Sequence, residues 1–114
     1  MGHIDGNTEA TVQIKAVEKD EYQSDQVTWK GICSLHGTLD LLDGGVSLKQ
    51  MSRVEDSDYI FLCDYFVPVY NGEKLTTANS RLLIEGEVYE VKLFDDPMRR
   101  HEHLEIYLKY LGGQ

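Results

Sequence analysis

Short runs of alternating apolar and polar residues, broken by turn-forming clusters, recur along most of this chain and constrain its fold more than any other feature. Side chains of a strand alternate between two faces, so such runs read as half-buried β-strands. Thr11-Val12-Gln13-Ile14-Lys15 alternates in this way, and the polar stretch Lys19–Asp25 after it reads as a turn. Val27–Cys33 is rich in β-branched and aromatic residues, with Val27, Trp29 and Gly31 on one face and Gly31 marking a bulge. Asp58–Asp64 is apolar on both faces, as a buried central strand is. Arg81–Ile84 and Val88–Phe94 flank Glu85-Gly86, a hairpin signal, with Tyr89, Val91 and Leu93 facing one way and Glu90 and Lys92 the other. His103–Lys109 alternates again, with Leu104, Ile106 and Leu108 inward, and the strand is preferred to a helix over 98–111.

Two segments lack this pattern. Ser34–Ser57 reads as a long excursion, with a short helical turn at Thr38–Leu42 stopped by Asp43-Gly44-Gly45. Long loops in compact domains are usually functional. Tyr65–Ser80 holds Pro68 and Asn71-Gly72 and reads as a second loop with apolar contact points. The expectation is therefore a mainly β protein: a small barrel or sandwich of about five to seven antiparallel strands, with at most one short helix and one long loop. Residues 1–10 are expected to be a flexible N-terminus, 11–111 a single domain and 112–114 a flexible tail.

The 114 residues carry 20 Asp and Glu against 11 Lys and Arg, a formal charge of −9. Nucleic-acid affinity comes chiefly from Lys and Arg neutralising phosphates, so this balance argues against nucleic acid and against anionic membranes. Arg99-Arg100-His101 is the one basic knot, too small to hold a duplex. No apolar run is long enough to cross a bilayer as a helix, and Met1–Asn7 lacks the basic start and apolar run of a secretory leader. Protein partners are the natural remainder. Cys33 and Cys63 read as reduced, buried thiols.

Motifs for chemistry are sparse. His101 and His103 stand two apart, a spacing that puts both on one face of a strand and can chelate a metal, with Asp95, Asp96 and Glu102 nearby. Two spaced ligands fall short of the three or four that a site needs. Cys33, His36 and Cys63 do not form paired zinc knuckles. Neither a Gly-x-Ser-x-Gly elbow nor a phosphate-binding loop occurs, and Asp40, Asp43, Glu55, Asp56 and Asp58 lack calcium-loop spacing. No catalytic, metal or cofactor residue is therefore assigned. Trp29, Tyr59, Phe61 and Tyr89 are expected in the core. Phe66, Tyr70 and Tyr107 are candidates for a partner interface, where aromatics are enriched.

The run Ser80-Arg81-Leu82-Leu83-Ile84-Glu85-Gly86-Glu87-Val88-Tyr89-Glu90-Val91, continuing through Phe94-Asp95-Asp96-Pro97-Met98 to His103–Leu108, resembles the close of tailed-phage head–tail joining proteins, the head-completion or stopper family with its prophage relatives. The resemblance covers about residues 80–110 and reaches 11–63 through strand order and the place of Trp29. It implies a structural virion protein that docks as a ring subunit below the portal protein, closes the DNA-filled head and joins tail or neck proteins. Partner contacts would then fall on Phe66, Tyr70, Tyr107, Arg99 and Arg100. The segment 36–57, with Leu41, Asp43, Gly44, Gly45 and Lys49, would be the loop that reaches the channel. The virion, and the host cytoplasm during assembly, would be its place. The alternatives are a β-barrel protein-binding module of another role and a metal-dependent hydrolase using His101 and His103.

Overall fold

The computed structural model describes residues 8–41 and 57–113. Six strands close into an antiparallel barrel: β1 (Thr8–Lys19), β2 (Asp25–Leu41), β3 (Tyr59–Asp64), β6 (Ser80–Ile84), β7 (Glu87–Asp95) and β8 (His103–Gly113), in the order β1-β2-β3-β8-β7-β6. Pairing of Ala10–Ile14 with Ser80–Ile84 closes the ring. A two-stranded flap, β4 (Val69–Tyr70) with β5 (Glu73–Lys74), lies in the connection between β3 and β6. One 3-10 turn, Pro97–Arg99, precedes β8. The mainly β reading holds, and the segment weighed between helix and strand is strand β8.

The inward row of each strand builds the core: Ala10, Val12 and Ile14; Phe61 and Cys63; Leu82 and Ile84; Tyr89 and Val91; Leu104, Ile106 and Leu108. This is the period-2 row of the sequence, placed so that every second side chain leaves water. Each such aliphatic or aromatic side chain contributes about 1.5–3 kcal/mol on full burial. One end of the barrel is stoppered by Tyr59, Tyr89 and Tyr110, with ring centroids 5.4–6.4 Å apart. At the other end Tyr65, Phe66, Tyr70 and Phe94 pack on the core, Phe66 edge-on to Phe94 at 6.2 Å.

Two tight turns follow from their residues. Glu85 and Gly86 both take positive φ, 53° and 79°, as do Asn71 and Gly72, 51° and 81°. Two successive left-handed residues make the turn whose twist suits a two-residue hairpin. Gly37 answers a different demand. A Cβ there would collide with the backbone carbonyl of Leu62 on β3, so only glycine lets the two strands come together at this point.

Several expectations are corrected. Thr38–Leu41 is not a helical turn: β2 continues to Leu41 and pairs with Tyr59–Leu62. Strand β1 begins at Thr8, with Ala10 fully buried, and β8 runs through Gly112 and Gly113, which pair with Val88 and Glu87. Neither residues 8–10 nor residues 112–113 are loose ends. The bulge expected at Gly31 is real, with Cys33 opposite Val12 and Gly31 opposite Gln13, so that Ile32 is the extra residue. A second bulge skips Lys92, so the alternation of β7 reverses there. Phe94 consequently turns to the core, and Leu93 pairs with Tyr107 instead of continuing the row of Tyr89 and Val91.

Candidate functional site

Strands β1 and β2 outrun the barrel. β6 pairs with β1 only at Ala10–Ile14, and β3 pairs with β2 only at Gly37–Leu41. Residues 15–19 and 25–29 therefore pair with each other and form a ribbon beyond the barrel wall. Five further residues and a turn give it a reach of roughly 20 Å at about 3.3 Å per residue. The molecule is correspondingly elongated, 50 × 29 × 25 Å. From Asp25 to His36, β2 pairs with β1 alone among the described strands, so no described strand covers its other edge.

The ribbon carries apolar side chains into water. Val17 and Val27 are cross-strand partners, 57% and 52% exposed, and Lys15 faces Trp29 on the same side. At the tip Tyr22 is 79% exposed. The tip is nevertheless shaped. Asp20 accepts, at one carboxylate oxygen, the backbone N–H groups of Tyr22 at 2.8 Å and Ser24 at 2.9 Å. The N–H of Asp20 donates to the Ser24 carbonyl, and that of Gln23 donates to the Asp20 carbonyl, both at 3.0 Å. Lys19 and Asp25 pair at 2.7 Å across the base of the turn. This is an Asx-type turn in which the aspartate does the work of a backbone acceptor.

At the root of the ribbon, on the outer wall, lies a cleft of about 290 Å³ bordered by Lys15, Trp29, Thr77, Arg81, Glu90 and Leu111. Ligand pockets run about 300–1,000 Å³, so this one suits a side chain or two rather than a cofactor. Its central feature is Arg81. Its Nε donates to the Oε1 of Gln13 at 2.7 Å, and its guanidinium stacks over the Trp29 ring at 4.3 Å. Gln13 is itself a buried polar residue, 8% exposed. Partial burial pushes the Arg81 pKa down, yet among the described residues no carboxylate pairs with it. Glu90, its cross-strand neighbour, gives its carboxylate to Lys92 at 2.9 Å. A second cleft of about 300 Å³ lies between the flap and β7, lined by Pro68, Lys74, Leu75, Lys92 and Phe94.

The residues singled out from sequence divide. Phe66 and Tyr70 are half-buried stoppers of the barrel end, Tyr70 with the Lys30 ammonium 5.9 Å from its ring. Tyr107 is fully buried, its hydroxyl donating to Glu105 at 3.4 Å, and is not an exposed contact. It lies on the barrel's outer face, opposite Ile60 and Leu93, and both it and Ile60 are closed from water there. Arg99 and Arg100 are exposed at the 3-10 turn. Leu41 ends the described part of β2 and is 58% exposed. Asp43, Gly44, Gly45 and Lys49 lie outside the described residues.

His101 and His103 do not share a strand face. His101 lies in the bend before β8 with φ of 56°, pairs through Nδ1 with Asp96 at 2.6 Å and packs at a tilt against Tyr65, ring centroids 4.6 Å apart. His103 opens β8 and meets Glu105 at 3.3 Å. Among the described residues no three His, Cys, Asp or Glu side chains converge as a metal site would require. Cys63 is buried and Cys33 is exposed, a correction to the expectation of two buried thiols. Burial first, then the charge of Asp64 and of Cys33, pushes the Cys63 thiol up to about 12. No described helix is long and apolar enough to cross a membrane.

Sequence reasoning placed Trp29 in the core, but it stands half-exposed on the ribbon's outer side. The register that sets it opposite Lys15 comes from the pairing of β1 with β2, which the local sequence does not show. Neither a scan against protein-family models nor a search of the curated proteins finds a match for this chain.

Proposed function

We propose that this chain is a structural assembly protein, a head–tail connector subunit that works by docking on protein partners. The observation that carries the reading is the β1–β2 ribbon, a two-stranded extension that leaves Val17, Val27 and Tyr22 in water beside a strand edge that no described strand covers. An isolated two-stranded ribbon is marginal in water. An open edge with apolar neighbours invites pairing unless it is blunted, and from Gln26 to His36 it carries no proline and a single lysine. A protein that keeps such an element gains from covering it with a partner. The resemblance of residues 80–110 to head–tail joining proteins supplies the particular setting. In that setting the subunit meets the portal protein on one side and tail or neck proteins on the other, in a ring, with no chemistry of its own.

The test is electron microscopy of particles from cells with and without the chain. The expected result without it is filled heads that leak, or heads and tails that remain apart. Joined, intact particles in its absence would sink the reading.

A further inference from the structure

We propose that the cleft at the root of the ribbon receives the acidic hairpin tip of a second copy of this chain. The contact runs head to tail, with the carboxylate of Glu21 on Arg81 and Lys15 and the ring of Tyr22 against Trp29 and Leu111. The inference deepens the ring-subunit reading above and rests on it.

Three observations support it. The first is that Arg81 is held ready. Gln13 occupies its Nε, Trp29 fixes its plane, and its terminal nitrogens are left for a ligand. A planar guanidinium fixed in this way matches a carboxylate with two parallel donors. Among the described residues neither Arg81 nor Lys15 has a carboxylate partner, although carboxylates are in excess on a chain of charge −9, so both are open to an incoming anion. The second is that the tip is complementary and equally ready. Asp20 spends its carboxylate inside the turn, leaving Glu21 and the 79%-exposed Tyr22 as the groups presented. Ordering the turn in advance lowers the entropy lost on docking. The third is reach. The tip stands roughly 20 Å up the ribbon from the cleft at its root, by the rise of a strand, so it cannot enter its own cleft and can enter a neighbour's.

A contact between two different patches of identical chains repeats, closing into a ring where the rotation permits. Nucleic acid is the less suitable anion. The cleft has two cations, Lys15 and Arg81, beside Glu90, where a polyphosphate needs an extended cationic track.

The test uses the purified full chain in sedimentation at low salt, up to millimolar concentration. Wild type is expected to self-associate, and salt to weaken the association. Glu21→Arg and Arg81→Glu should each weaken it by roughly tenfold or more. An equimolar mixture of the two variants, and the double variant, should regain it, because the reversed tip meets the reversed cleft. Glu21→Arg lies on the exposed tip and leaves the fold intact, so its effect does not depend on Arg81→Glu remaining folded. A wild type that stays monomeric at millimolar concentration, or an association indifferent to both changes, would overturn the proposal. So would a requirement for Arg81 in particle assembly by a chain that never self-associates, which would give the cleft to another protein's carboxylate. Head–tail joining is read in particles and self-association in purified protein, so failure of one is distinct from failure of the other.

Discussion

At the scale of single residues, two glycines and two thiols separate roles that composition cannot. A Cβ at Gly37 meets the Leu62 carbonyl, while one at Gly86 meets nothing, although Gly86 holds a positive φ of 79°. Gly86→Ala should therefore cost about 1 kcal/mol, the left-handed penalty of an ordinary residue. Gly37→Ala should cost about 3 kcal/mol or more, because strand backbone must move. Urea unfolding of the two variants checks the order. The thiols differ by burial. Cys33 should react with a thiol reagent in the native protein, and Cys63 only after unfolding. The raised Cys63 pKa also has a stability sign. Between the ordinary thiol value of 9.0 and about 12 the unfolded chain loses its proton while the folded chain keeps it. The stabilisation is thus complete below pH 9 and is lost as pH rises through the folded value near 12. Cys63→Ala should flatten that alkaline slope in unfolding midpoints measured from pH 8 to 11.

At the scale of elements, the barrel strands and the ribbon differ in what holds them. β3 and β8 are paired on both edges and share the buried row of Phe61, Cys63, Leu104 and Ile106. Among the described residues, 15–19 and 25–29 pair with each other, and beyond that the Lys15 N–H donates to the Asn79 carbonyl at 2.8 Å. Amide exchange should accordingly be fast in the ribbon and slowest in β3 and β8, and uniform protection would contradict the division. The alternating rows made these elements legible in sequence: Val12 and Ile14, Leu82 and Ile84, and Leu104, Ile106 and Leu108 all lie inward as their period requires. Three features were not legible, each for a physical reason. The Lys92 bulge shifts one residue without changing composition, so the reversal of Leu93 and Phe94 leaves no periodic trace before it. Thr38–Leu41 has weak strand propensity, and its pairing with β3 depends on the non-local fit of Gly37 under Leu62. The cleft brings Lys15, Trp29 and Arg81 together from three strands, and only the closure of β1 on β6 puts Gln13 beside Arg81. Tyr107 is named an interface candidate as an aromatic, and its burial beside Ile60 on the outer face follows from the pairing of β3 with β8, which the local sequence does not show.

At the scale of the whole molecule, an acidic barrel with one projecting ribbon is suited to docking rather than to gripping a polyanion. With 20 acidic against 11 basic residues, the purified chain should fail to retard duplex DNA even at low salt, where phosphate contacts are strongest. A clear gel shift would contradict the reading that the charge balance keeps this chain off nucleic acid. The central claim is that the ribbon is the docking element. It is tested most directly by the double substitution Val17→Lys with Val27→Lys. These side chains are 57% and 52% exposed and lie outside the core, so the barrel should fold and melt nearly as wild type does. Particles purified on a gradient from cells that supply only this variant are then probed for the chain. The expected result is a folded protein missing from particles that have not joined heads to tails. Joined particles carrying the variant at the wild-type level would contradict it.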